Sequence, residues 1–103
     1  MLQGEINMEK FNYNNINSIQ GNDIKIIDEE NNKHKLNVAE VCTSEHHSDD
    51  CQCFYVILKS EEKNQFPQGT YRFEHEAFGE MTLFMSPNGE QEYEIVVNQF
   101  KPN

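Results

Sequence analysis

Thr70-Tyr71-Arg72-Phe73-Glu74-His75-Glu76 places Tyr71, Phe73 and His75 at one set of alternate positions and Arg72, Glu74 and Glu76 at the other. Successive side chains of an extended chain point to opposite sides, so this period of two marks a strand with one face turned inward. Just before it, Pro67-Gln68-Gly69 supplies a turn, and just after it Ala77-Phe78-Gly79 reverses the chain into Met81-Thr82-Leu83-Phe84-Met85. Pro87-Asn88-Gly89 reverses it again, Asn-Gly being a strong tight-turn signal because both residues tolerate positive φ. The last run, Glu92 to Asn98, sets Tyr93, Ile95 and Val97 against Glu92, Glu94 and Asn98.

The same period runs upstream. Ile24-Lys25-Ile26-Ile27, the polar turn Asp28 to Asn32, and Lys33-His34-Lys35-Leu36-Asn37-Val38 read as a hairpin. Ile24 and Ile26 should face the same way as Leu36 and Val38. Val41 then falls out of phase, which predicts a bulge near Ala39-Glu40. Cys53 to Lys59 is apolar on both faces, as expected of a central strand or barrel wall. Before these strands, residues 9–20 are Asn-rich and carry Phe11, Ile16 and Ile19 at roughly helical spacing. They predict a short helix or turn that plugs one end of the sheet. The expected fold is therefore all-β: a small antiparallel meander of about six strands, closed as a barrel or tight sandwich. Residues 1–8 are expected to be a poorly ordered leader, and 9–103 a single β domain.

The totals agree with a thin core. Only 36% of the 103 residues are hydrophobic, and mean hydropathy is -0.83, so little room is expected for a bulky buried cofactor. Eighteen acidic residues against eight Lys plus Arg give a formal net charge of -10. Neutralising phosphates takes cations, so that balance argues against nucleic acid and anionic membranes as partners. The acids at Asp28-Glu29-Glu30, Asp49-Asp50 and Glu61-Glu62 read as solvated turn charges. The first ten residues lack a basic start and an apolar stretch, which with three cysteines leads to an expected cytoplasmic location with reduced thiols.

Gln68-Gly69-Thr70-Tyr71, Glu74-His75, Gly79, Leu83-Phe84, Pro87 and Tyr93-Glu94 together resemble the bacterial domain-of-unknown-function family 6916. The similarity is strongest over residues 66–98, with Glu76 standing where that family often has Pro. The resemblance implies a small all-β domain and brings no reaction, ligand or catalytic residue with it. The resemblance further implies a phage-tail-collar-like gene context, and with it an assembly or interaction role. Leu83 and Phe84 read first as folding residues.

Chemical potential is concentrated in residues 42–53, which hold all three cysteines and two of the four histidines. One reading is metal binding: Cys42, His46, His47, Cys51 and Cys53 offer thiolates and imidazoles suited to Zn²⁺, or thiolates to Cu(I). The single-residue gap between Cys51 and Cys53 is poorer for chelation than the usual two. A second reading is a disulfide from Cys42 to Cys51 or Cys53 across paired strands. The favoured reading is a solvated loop with Cys53 packed as a small hydrophobe. His75 invites a reading as a general base, but a lone His at a strand end is more simply a hydrogen-bonded structural residue. No phosphate-binding Gly-rich loop, nucleophile elbow or metalloprotease helix is present. The expectation is a non-enzymatic protein-interaction or assembly module with an unidentified protein partner, a homo-oligomer among the options, and no cofactor. The alternative is a metal-binding or redox-responsive protein using the 42–53 loop.

Overall fold

A computed structural model describes residues 10–48 and 50–100. The leader expected at 1–8 lies outside the described residues. Six strands form, all paired antiparallel: β1 (Asp23–Ile27), β2 (Lys33–Thr43), β3 (Cys51–Lys59), β4 (Gly69–His75), β5 (Gly79–Pro87) and β6 (Glu92–Phe100). They close into a barrel in the order β1-β2-β3-β6-β5-β4, with β4 returning to β1.

The alternating positions go where the period of two sends them. Ile24, Ile26, Leu36, Val38, Phe54, Val56, Leu58, Phe73, Leu83, Met85, Tyr93, Ile95 and Val97 fill one continuous interior. Each fully buried Leu, Ile, Val or Phe contributes about 1.5–3 kcal/mol of transfer free energy, so this single layer is the main stabilising term. Ile24 pairs with Leu36 in the first hairpin, and the β2–β3 register slips between Val38 and Glu40, where Val41's phase predicted the bulge. The turn between β1 and β2 is built by Asp28, whose Oδ1 accepts from the Glu30 and Asn32 amides at 2.9 and 2.8 Å. Asn31 sits there at φ 67°, in the left-handed region that Asn tolerates better than most residues.

The strand order departs from a strict meander at one connection. β1-β2-β3 and β4-β5-β6 are each meanders, but β3 pairs with β6 rather than β4. The cause is the connector 60–68, too long for a hairpin and fastened across the barrel end. Ser60 N–H donates to Gln91 O at 2.9 Å and Asn64 N–H to Glu90 O at 2.7 Å. Phe66 is buried, and its N–H donates to the Tyr93 hydroxyl at 2.9 Å. The connector thus delivers β4 beside β1. That leaves β3, apolar on both faces, to form a full-length ladder with β6 from Cys51–Phe100 to Lys59–Glu92.

Each barrel mouth has an aromatic plug. Phe66 closes one, with edge contacts to Tyr93, Tyr71 and His34. At the other, α1 (Tyr13–Asn17) follows an Asn12 N-cap whose side chain accepts from Asn15 N–H at 2.9 Å. Phe11, Ile16 and Ile19 are buried there as expected, and Phe11 packs on Phe54 and Phe78. Tyr13 N–H donates to Gln52 Oε1 at 2.8 Å, and Asn15 Nδ2 donates to Ala77 O at 2.6 Å, tying the helix to β3 and to the β4–β5 turn. No helix among the described residues is long and apolar enough to cross a membrane.

Candidate functional site

The 42–53 segment joins β2 to β3 at the α1 end of the barrel. Its cysteines are neither all reduced, as expected, nor bridged through Cys42, as the second reading had it: Cys51 and Cys53 form a disulfide with each other, and Cys42 is a free thiol. The reason lies in register. Cys42 stands opposite Tyr55, one pair beyond the Thr43–Phe54 pair, so neither of the other cysteines is its direct cross-strand partner. Cys51 and Cys53 are alternate residues of one strand and share a face. Cys53 is buried, as the favoured reading had it, although as half of a disulfide.

The two histidines of the loop part company. His47 turns inward: its Nδ1 accepts from Cys53 N–H at 3.1 Å, and its ring meets Tyr13 and Phe54 edge-on. His46 points to solvent, with Nε2 3.6 Å from the Glu45 carboxylate. Thus Cys42, His46, His47, Cys51 and Cys53 are not drawn to one point. No group of three or more His, Cys, Asp or Glu side chains placed to hold a metal ion occurs among the described residues.

His75 also has a local structural task. Its Nδ1 accepts from Ala77 N–H at 2.9 Å and its ring stacks on Phe78, which shapes the β4–β5 turn. A groove of about 310 Å³ lies on the barrel near the other end of β4, lined among others by Asp28, Glu29, Thr70, Tyr71 and Arg72. His75 does not line it. Arg72, the groove's cation, is already engaged: Nη2 donates to Asn31 Oδ1 at 2.7 Å and Nη1 lies 3.7 Å from Glu80. Above the groove, His34 Nε2 is 3.0 Å from Asp28 Oδ2. That hydrogen bond, with the Asn32 amide next in weight, holds the Asp28 carboxyl below its ordinary value.

The outer wall carries the feature least expected from the sequence. Phe84 on β5 and Val96 on β6 are 56% and 55% exposed, although both are large hydrophobics in mid-strand. Phe84 is therefore not a core residue. The signal was present in the phase, since Phe84 alternates with Leu83 and Met85, and Val96 with Ile95 and Val97, all of which are buried. β5 and β6 pair at Ser86–Glu94 and Pro87–Tyr93, so Phe84 and Val96 each lie two residues from the Ser86–Glu94 pair on neighbouring strands. On β3, Tyr55 pairs with Val96 on one side and with Cys42 on the other. The Tyr55 phenol is pushed above its ordinary range, first by its hydrogen bond with Cys42 and least by Glu40 and Glu94. One step along β3, Ile57 is buried between Glu40 and Glu94, its two cross-strand partners. Cys42, Tyr55 and Val96 thus form a row across three strands, with Glu40, Ile57 and Glu94 in the row next to it and Phe84 on the neighbouring strand β5.

A family model described as "Domain of unknown function (DUF6916)" matches residues 11–97. No curated protein and no solved structure matches the chain.

Proposed function

The chain belongs to the domain-of-unknown-function family DUF6916, and from that premise we propose that it is a non-enzymatic protein-interaction or assembly module. The supporting observation is the pair of exposed side chains, Phe84 and Val96, on neighbouring strands of the barrel wall. A mid-strand Phe and Val left in water forgo stabilisation that burial against a partner restores. Together with Tyr55 they offer an aromatic and aliphatic surface of the kind that anchors protein interfaces. The net charge of -10 disfavours nucleic acid and anionic lipid as what covers it. The cytoplasm remains the proposed location.

The test uses matched baits. Wild type and a Phe84→Ser/Val96→Ser double variant are immobilised and exposed to native lysate, and captured proteins are quantified by mass spectrometry. Both positions are exposed, so the variant keeps its fold, which circular dichroism checks. A protein recovered by wild type and lost by the variant supports the proposal. Indistinguishable captures count against it.

A second reading, a redox-responsive loop, is favoured by one observation: the Cys51–Cys53 disulfide next to the free thiol of Cys42 on neighbouring strands. Addition of two electrons and two protons opens that bridge to two thiols. A near-ultraviolet spectrum of Tyr13 and Tyr55 that stays unchanged on reduction would remove this reading.

A further inference from the structure

We infer that the partner is a cationic protein segment, one that sets an apolar side chain on Val96 and Phe84 and its Lys or Arg side chains against Glu40 and Glu94. This rests on the interaction reading above and names the chemistry of what binds there. The two rows and Phe84 set both requirements. Val96 and Phe84 supply an exposed apolar centre. Glu94 lies two residues from Val96 on the same face of β6, and Glu40 lies two residues from Cys42 on the same face of β2. Cross-strand pairing sets both glutamates beside Ile57, in the row next to Cys42, Tyr55 and Val96. Tyr55 registers the charge of each, so both carboxylates lie within electrostatic reach of that row.

An occupant has to bring positive charge to these carboxylates. Burying an apolar contact on Val96 beside this row of carboxylates desolvates them, and a cation offsets that cost. The field of the whole chain acts in the same direction, since a net charge of -10 attracts a basic segment and accelerates its approach. For the same reason a second copy, itself at -10, is the less favoured occupant. Lysines do occur on the outer wall at Lys25, Lys33, Lys35 and Lys59; Lys33 is bound to Glu74 at 3.2 Å, and Lys59, two residues beyond Ile57, stands between Asn37 and Glu92.

The experiment measures binding of three fluorescent synthetic nonapeptides by anisotropy at low and physiological salt. In the first, Lys and Val alternate; in the second, Ser replaces each Val; in the third, Glu replaces each Lys. The first is expected to bind wild type, weaken with salt, and outcompete the other two by at least tenfold. Glu40→Gln/Glu94→Gln should weaken it roughly five- to tenfold, as two partly exposed charge pairs allow, and flatten the salt dependence. Phe84→Ser/Val96→Ser should weaken it at least tenfold with the salt dependence retained. Equal binding of the Lys–Ser peptide, unchanged binding by either double variant, or no binding of the Lys–Val peptide overturns the inference. So does a concentration-dependent dimer in sedimentation that Phe84→Ser/Val96→Ser abolishes, since a second copy then occupies this surface. A captured partner lost with Phe84→Ser/Val96→Ser but unaffected by Glu40→Gln/Glu94→Gln sinks this inference alone and leaves the interaction module standing.

Discussion

Replacing Tyr93 with Phe removes one oxygen atom from the molecule and leaves the ring where it is. The Tyr93 side chain is 1% exposed, so its apolar burial hardly changes. What is lost is the acceptor for Phe66 N–H, a buried 2.9 Å hydrogen bond between groups 27 residues apart in sequence. A buried amide left without an acceptor costs about 1–3 kcal/mol, which is the expected loss in unfolding free energy. Set against the roughly 5–15 kcal/mol available to a small domain, that is a large share. The assay is urea unfolding followed by far-ultraviolet circular dichroism. The midpoint should fall while the slope stays the same, because both states expose the same surface. On heating, each 1 kcal/mol should appear as a drop of roughly 4–8 °C in Tm. Tyr71→Phe is the control: its hydroxyl donates to Pro67 O at 2.6 Å in an exposed setting where water replaces it, so the cost should stay within about 0.5 kcal/mol. A Tyr93→Phe variant within that same limit, or a Tyr71→Phe variant that costs as much as Tyr93→Phe, would refute the view that this hydrogen bond pins the 60–68 connector across the barrel.

Two further expectations follow from the turn and the thiols. The Asp28 carboxyl is held low by His34 and by the Asn32 amide, so its folded value lies below the unfolded one near ~3.9. Its contribution to stability is therefore complete above that unfolded value and is lost as pH falls through the folded one; the gap in urea midpoint between wild type and Asp28→Asn should close between about pH 5 and pH 2, and a gap independent of pH would contradict this. In denaturant without reductant, Ellman titration should count one thiol, from Cys42, and three after reduction; three without reductant would show the bridge to be absent.

Much of the architecture follows from side-chain phase, which acts over neighbouring residues. The alternation in Tyr71 to Glu76, the slip before Val41 and the Asn88-Gly89 reversal each report a local constraint, and the strands, the bulge and the turn appear where those residues put them. Phe11, Ile16 and Ile19 were legible as a plug for the same reason. The candidate surface was half legible. Phase alone puts Phe84 and Val96 outside, yet hydrophobicity argues for burial, and that conflict is decided by whether anything packs over them.

The sequence by itself determined that this chain is a thin antiparallel β domain, because period-two placement and turn chemistry are properties of short stretches. Only the tertiary structure decided that β3 joins β6, that Cys51 bridges to Cys53 rather than to Cys42, and that Glu40 and Glu94 lie in the row beside Tyr55 and Val96. The strand order and the placement of the glutamates depend on contacts between residues far apart in the chain, and the absence of a Cys42 bridge on the β2–β3 register. A buried Phe66 amide held by Tyr93 fastens the connector that sets the strand order, by an energy that no local pattern displays.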